Sequence, residues 1–166
     1  EPAMNDRLTD SQRMDTALRT AILESHFRLA FQPQVEIATG RVRGAEALAR
    51  WHDPVLGEIS PGRFIPAAEE TGLIVELGRW ALETACRLAV SWPDDIVVSV
   101  NVSAVQFELS DVVADVRAAL SKAGLPPQRL EVEITESAFV GDVTAVIQVL
   151  SDLRAMGVGI ALDDFG

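Results

Sequence analysis

IVVSVNVSAVQFELSDVVADVRAALSKAGLPPQRLEVEIT, residues 96–135, is the stretch that decides the fold class. It opens at 96–103 with β-branched residues alternating with small polar ones, the pattern of a strand. Ser110 is placed to cap a helix carrying Val112, Val113, Val116 and Leu120. Gly124 falls where that helix wants a left-handed terminating residue, and Pro126-Pro127 block its continuation. Residues 130–135 then return to strand alternation. A strand, a helix and a second strand in this order describe a parallel pair joined by a crossover.

The same order extends in both directions. Downstream, 143–156 reads as a helix with Val143, Ile147 and Leu150 on one side, closing at Gly157, and 158–163 as a strand. Upstream, 31–37 and 41–51 read as strands on either side of a Thr39-Gly40 turn. A Gly- and Pro-containing loop follows over 53–62, then a short helix over 63–70. A longer helix over 74–92 carries Leu77, Ala81, Ala85, Leu88 and Trp92 along one side and ends at Pro93. Residues 9–26 read as a further helix, with Thr9 and Gln12 in a capping-box pattern and Met14, Leu18 and Ile22 recurring at i, i+4. The first 22 residues are read as a linker helix from an upstream domain, and 23–166 as the domain itself. Periodicity leaves two architectures open, a doubly wound sheet and a (β/α)8 barrel. A barrel needs eight strands and about 250 residues, so five strands would make it incomplete.

Composition bounds the function. With 48% apolar residues in 166, the chain has the material for a sizeable core. A net charge of −11 repels nucleic acid and anionic membrane alike. No run of apolar residues is long enough to span a bilayer, and the polar N-terminus lacks a signal-peptide core. The lone Cys86 excludes an internal disulfide and fits a reducing compartment, hence a cytoplasmic location, with anchoring elsewhere in a parent protein left open. Cys86 is expected to be inert, and Trp51, Trp80 and Trp92 to pack rather than stack on bases. His26 and His52 have no metal-ligand spacing.

Strand alternation sorts the acids by face. Glu46 shares a face with Gly44, Leu48 and Arg50; Asn101 with Ser99 and Ser103; Glu133 with Glu131 and Thr135; Asp163 with Gly159 and Ala161. Four strands therefore each carry an oxygen-bearing side chain near the middle or the C-terminal end, with Asp164 following. If the strands are neighbours, these groups converge where α/β barrels place their sites. Packed carboxylates either raise their own pKa values or recruit cations. Oxygen ligands without His or Cys suit hard ions such as Mg²⁺, Mn²⁺ or Ca²⁺. Parity alone does not separate this from a set of solvated acids.

At these positions the sequence resembles the EAL family of bacterial cyclic di-GMP phosphodiesterases. The resemblance covers about residues 18–166. FRLAFQPQVEIATGRVRGAEALARW carries the Glu46-Ala47-Leu48 triplet; FIPAAEETGLIVELGRWALETACR, SVNVSAVQF, LEVEITESAFV and LDDFG follow in the family's order. It implies an α/β fold: a modified TIM (β/α)8 barrel, partial here with about five of eight strands, whose first strand runs antiparallel. It implies that Glu46, Asn101, Glu133 and Asp163 bind one metal ion and that Asp164 helps bind a second. Mg²⁺ or Mn²⁺ would be the working ions and Ca²⁺ an inhibitory one. Arg50 would contact a substrate phosphate, Gln32 would line the substrate pocket, and Glu136 would orient the loop after the Asp-Asp pair. Asp164-Phe165-Gly166 also matches a protein-kinase triplet, but no Gly-rich phosphate loop or His-Arg-Asp segment accompanies it.

The resemblance further implies hydrolysis of cyclic di-GMP to linear pGpG, with the family's general base beyond Gly166. The 166-residue chain by itself is therefore expected to be inactive or nearly so, because loss of a general base costs about 10²–10⁴-fold. An open sheet edge is expected to favour a homodimer or larger assembly. An upstream diguanylate cyclase-type (GGDEF) domain is the expected neighbour. The alternative reading is a degenerate EAL module that binds cyclic di-GMP or a protein partner without catalysis.

Overall fold

The computed structural model describes residues 2–163, with side chains described from 12 to 163. Helix α1 (Pro2–Leu23) precedes an antiparallel pair, β1 (Phe27–Val35) and β2 (Val42–Asp53), and a short strand β3 (Gly57–Ile59). Helices α2 (Pro61–Thr71) and α3 (Ile74–Ala89) lead to β4 (Val97–Asn101). Helices α4 (Ala104–Leu109) and α5 (Val112–Ala123) lead to β5 (Leu130–Thr135), and α6 (Val143–Ala155) leads to β6 (Gly159–Asp163). The sheet order is β1-β2-β4-β5-β6, with β1 antiparallel to β2 and the remaining pairs along this path parallel. This is the α/β arrangement of a partial (β/α)8 barrel with an antiparallel first strand.

One face of the sheet is apolar. Val98, Val100, Val132 and Ile134 are buried there with Leu82, Val116 and Leu153 from α3, α5 and α6. Each fully buried aliphatic side chain contributes about 1.5–3 kcal/mol, so this layer holds the helices on the sheet. A second core joins Leu18 and Ala21 of α1 to Phe64 of α2, Ile74 and Leu77 of α3, and Phe27 and Trp51 of the hairpin. Its centre is aromatic: Phe27 lies 5.4 Å from Trp51, 5.5 Å from Phe64 and 5.7 Å from Trp80 between ring centroids. Trp92 packs edge-on against Phe31. All three tryptophans therefore pack in the protein, as their sequence setting suggests. Buried Arg129 joins the layers by donating to the carbonyls of Ala89 and Ile96, which satisfies the end of α3.

Several local expectations are corrected. Among the described residues the five expected strands are joined by a sixth, because 57–59 pairs with the end of β2 instead of lying in a loop. Trp51 faces Phe27 on one edge and Ile59 on the other. Helix α1 starts at Pro2, so Thr9 lies within it and does not cap it, and it stops at Leu23, before Ser25 turns to positive φ. Helix α3 ends at Ala89, and its buried side runs through Leu77, Leu82, Ala85, Cys86 and Ala89. Ser110 closes α4, a helix not anticipated, while Asp111 caps α5 by accepting from the Ala114 N–H. Helix α6 buries Val146, Leu150 and Leu153 and leaves Val143 and Ile147 41% and 56% exposed. Among the described residues, no helix is long and apolar enough to cross a membrane.

Candidate metal centre and adjoining cavity

Register places the acids on successive rows of the sheet. Glu46 is level with Ser99 on β4, and Ser99 with Glu131 on β5. Asn101 is level with Glu133, which is level with Ala161 on β6. Asp163 sits one row further on, level with Thr135. The groups thus climb diagonally toward the C-terminal ends of the strands, as the stagger of a barrel sheet requires. The long side chain of Glu46 reaches up a row, where the Asn101 amide donates to its Oε1 at 2.8 Å. Carboxylate oxygens of Glu46, Glu133 and Asp163 come within 4.8 Å of one another.

Three acids this close repel. Burial pushes the Glu133 carboxyl above its usual range, and the Glu46 charge adds to the rise. Hydrogen bonds from Gln34 and Ser99 oppose it, while Asp163 raises it further. A divalent cation at the common centre reverses this repulsion, and an all-oxygen donor set with one amide suits a hard ion. The residues present therefore fit a hard divalent ion.

Glu46 and Asp163 open onto a cavity of about 530 Å³, within the range that accommodates small ligands. Glu46, Asn101, Asp163 and Arg50 form its polar side, and Ile65, Pro66, Ile74 and Leu77 its apolar wall. Arg50 is half-buried and donates to its neighbour's carbonyl, Ala49 O, at 3.0 Å. The edge beyond Asn101 is fixed by hydrogen bonds. The Ser103 hydroxyl donates to Glu69 Oε1 at 2.6 Å, accepts from the Val105 N–H, and belongs to a capping box with buried Gln106.

Glu46, Asn101, Glu133 and Asp163 are thus brought together, and Arg50 lines the same cavity as Glu46, Asn101 and Asp163. Gln32 is exposed, directly opposite Glu46 on β1, and is not among the described residues that line the cavity. Glu136 is exposed and begins a 3-10 turn, Glu136–Phe139, after β5. Asp164 lies outside the described residues. Two contributors carried no role in the sequence reading. Gln34 donates to Glu133 Oε1, and Glu69 holds Ser103. Alternation was the available signal for Gln34, since it lies two residues from Gln32 on the same strand face.

The family profile of the EAL domain matches residues 15–166. The chain belongs to the EAL domain family. Among relatives, this EAL domain is 42% identical over 170 residues to the bifunctional diguanylate cyclase/cyclic di-GMP phosphodiesterase MucR of Pseudomonas aeruginosa, a match spanning 100% of this chain and 25% of that protein. It is 41% identical to the oxygen sensor protein DosP of Escherichia coli, over 99% of this chain and 21% of that one. The chain thus spans about a quarter or less of these curated relatives. Among solved structures, the MucR phosphodiesterase in complex with c-di-GMP superposes with a TM-score of 0.86 at 42% identity, covering 93% of this chain and 64% of that chain.

Proposed function

We propose that this EAL domain serves a metal-dependent phosphodiesterase that opens cyclic di-GMP to linear pGpG. The observation that carries the reading is the meeting of Glu46, Glu133 and Asp163 oxygens at the edge of a cavity that Arg50 and apolar side chains also line. Glu46, Asn101, Glu133 and Asp163 would hold one ion, and Asp164 would contribute to a second. Bound Mg²⁺ or Mn²⁺ would neutralise phosphate charge and acidify the attacking water. Arg50 would donate charge-assisted hydrogen bonds to non-bridging phosphate oxygens and hold the ester in place. Gln32 would approach the nucleotide from β1, and Glu136 would orient the segment after Asp163. The apolar wall suits the face of a purine base and excludes water from it. Water adds to phosphorus at one ester, the bond to the ribose oxygen breaks, and that oxygen takes up a proton.

The similarity to MucR, whose solved complex contains c-di-GMP, supports the ligand class. The solved MucR phosphodiesterase chain extends beyond what this chain matches, so the polypeptide 1–166 on its own is expected to turn over little. The test is pGpG formation by the full-length protein with Mn²⁺, followed by chromatography. Turnover that is lost in Glu46→Gln and Glu133→Gln supports the proposal. Binding of cyclic di-GMP without turnover at any Mg²⁺ or Mn²⁺ concentration would replace it with the sensor reading, and absence of binding would overturn both.

A further inference from the structure

Beneath the three acids lies a line of polar side chains on the same face of the sheet. Gln34 of β1 sits opposite Gly44 of β2, and its Nε2 donates to Glu133 Oε1 at 3.0 Å, across a sequence separation of 99 residues. Its Oε1 faces the Ser99 hydroxyl at 3.3 Å, and that hydroxyl lies 2.9 Å from Glu131 Oε1. Arg43 stands 3.7 Å from the other oxygen of Glu131. The chemistry fixes which way the amide points: the carboxylate accepts only, so the NH₂ end must face Glu133. Ser99 is fully buried and Glu133 only 7% exposed, so this contact is part-buried, with Gln34 on its more open side.

The sheet leaves room for the amide. A Cβ on Gly44 would lie 3.1 Å from Gln34 Oε1 and 2.7 Å from the carbonyl oxygen of Val97. Position 44 is bare where Gln34 folds inward, and the register shift after Gln34 marks the end of regular pairing with β2.

We propose that Gln34 is a positioning residue for metal binding. By holding Glu133 Oε1 from below, it restrains rotation of the carboxylate and keeps it turned toward Glu46 and Asp163. This inference rests on the metal-site reading above. Partners that orient a ligand from behind typically contribute about 10–100-fold in metal affinity. Nothing in the role requires Gln34 to touch substrate.

The test uses the full-length protein without substrate. Gln34→Met keeps length and bulk but has no donor. Its Mn²⁺ dissociation constant, measured by calorimetry per folded molecule, is expected to rise about 10–100-fold. The electron paramagnetic resonance line of bound Mn²⁺ is expected to broaden or shift, which a general loss of stability would not produce. Gln34→Thr, a strand-compatible residue too short to reach Glu133, serves if Gln34→Met folds poorly. An unchanged dissociation constant and unchanged spectrum in a folded variant overturn the inference. Glu133→Gln run in parallel separates the two levels. If it abolishes Mn²⁺ binding while Gln34→Met is silent, only the positioning role fails. If Mn²⁺ binding survives Glu133→Gln, the metal-site reading fails and this inference with it.

Discussion

Asp53 shows a single carboxylate setting a turn. Its Oδ1 accepts from the N–H groups of Leu56, at 2.8 Å, and Val55, at 2.9 Å, and so folds the chain from β2 into β3. These bonds, Leu56 first, hold its carboxyl below the usual range against the opposing effect of burial. A carboxyl whose folded pKa is depressed stabilises above its unfolded value, about 4, and loses that contribution as pH falls through the folded value. Asp53→Ala is therefore expected to lower stability at pH 7 by about 1–2 kcal/mol, read from urea denaturation. The gap to wild type should narrow as acid protonates Asp53. Asp53→Asn keeps an acceptor oxygen, so its gap at pH 7 should be smaller than that of Asp53→Ala, and it should shrink likewise in acid because only the wild type titrates there. At this scale much of the candidate site was legible in the sequence. Strand alternation assigned Glu46, Asn101, Glu133 and Asp163 each to a face of its own strand, because the apolar residues of those strands are unambiguous, and the sheet order is what brings those faces together. For Gln34 alternation offered only the face it shares with Gln32. The importance of Gln34 depends on Gly44 opposite and on Glu133 three strands along the sheet, and both are matters of register rather than of local pattern.

Gly78 belongs to the scale of elements. It lies inside α3, where glycine is worth about 1 kcal/mol less than alanine. The structure explains it: a Cβ there would run into the side chain of buried Gln106, 2.7 Å from its Cδ. Gln106 completes the capping box that starts α4 just after Asn101. The propensity gain of Gly78→Ala is thus opposed by overpacking of about 1–3 kcal/mol and loss of a cap worth about 1 kcal/mol. Net destabilisation of about 1–3 kcal/mol is expected in thermal or urea denaturation. Adding Gln106→Ala should recover part of it, so that the two changes fail to add. These short pieces were the least legible. Helix α4 has six residues and β3 three, too few for a periodicity to declare itself. The buried sides of α3 and α6 were misjudged because both helices carry apolar residues most of the way round, and tertiary packing chose among them.

Over the whole molecule, two cores share the sheet. The larger one lies under α3, α5 and α6, and the smaller joins α1 and α2 to the hairpin. Leu18 of α1 has 0% exposure in that second core, whereas Leu23 in the last turn of the same helix is 84% exposed. Leu18→Ala is expected to destabilise by about 2–5 kcal/mol and Leu23→Ala by less than about 0.5 kcal/mol, both from denaturant midpoints. A helix serving only as a tether would show no such difference. The fold class was legible because successive strand and helix signals leave few arrangements. The docking of α1 was not, since an amphipathic stripe does not say which surface receives it.

The diagonal of acids has a further meaning for the assembly of the chain. Each acid comes from a different strand and a different row, and none is close to another in sequence. Shifting any one strand by a single residue would turn its carboxylate to the helix side and empty its corner of the centre. Capacity to bind a divalent ion is then an inspection stamp for the sheet: only a molecule with β2, β4, β5 and β6 seated side by side can carry it.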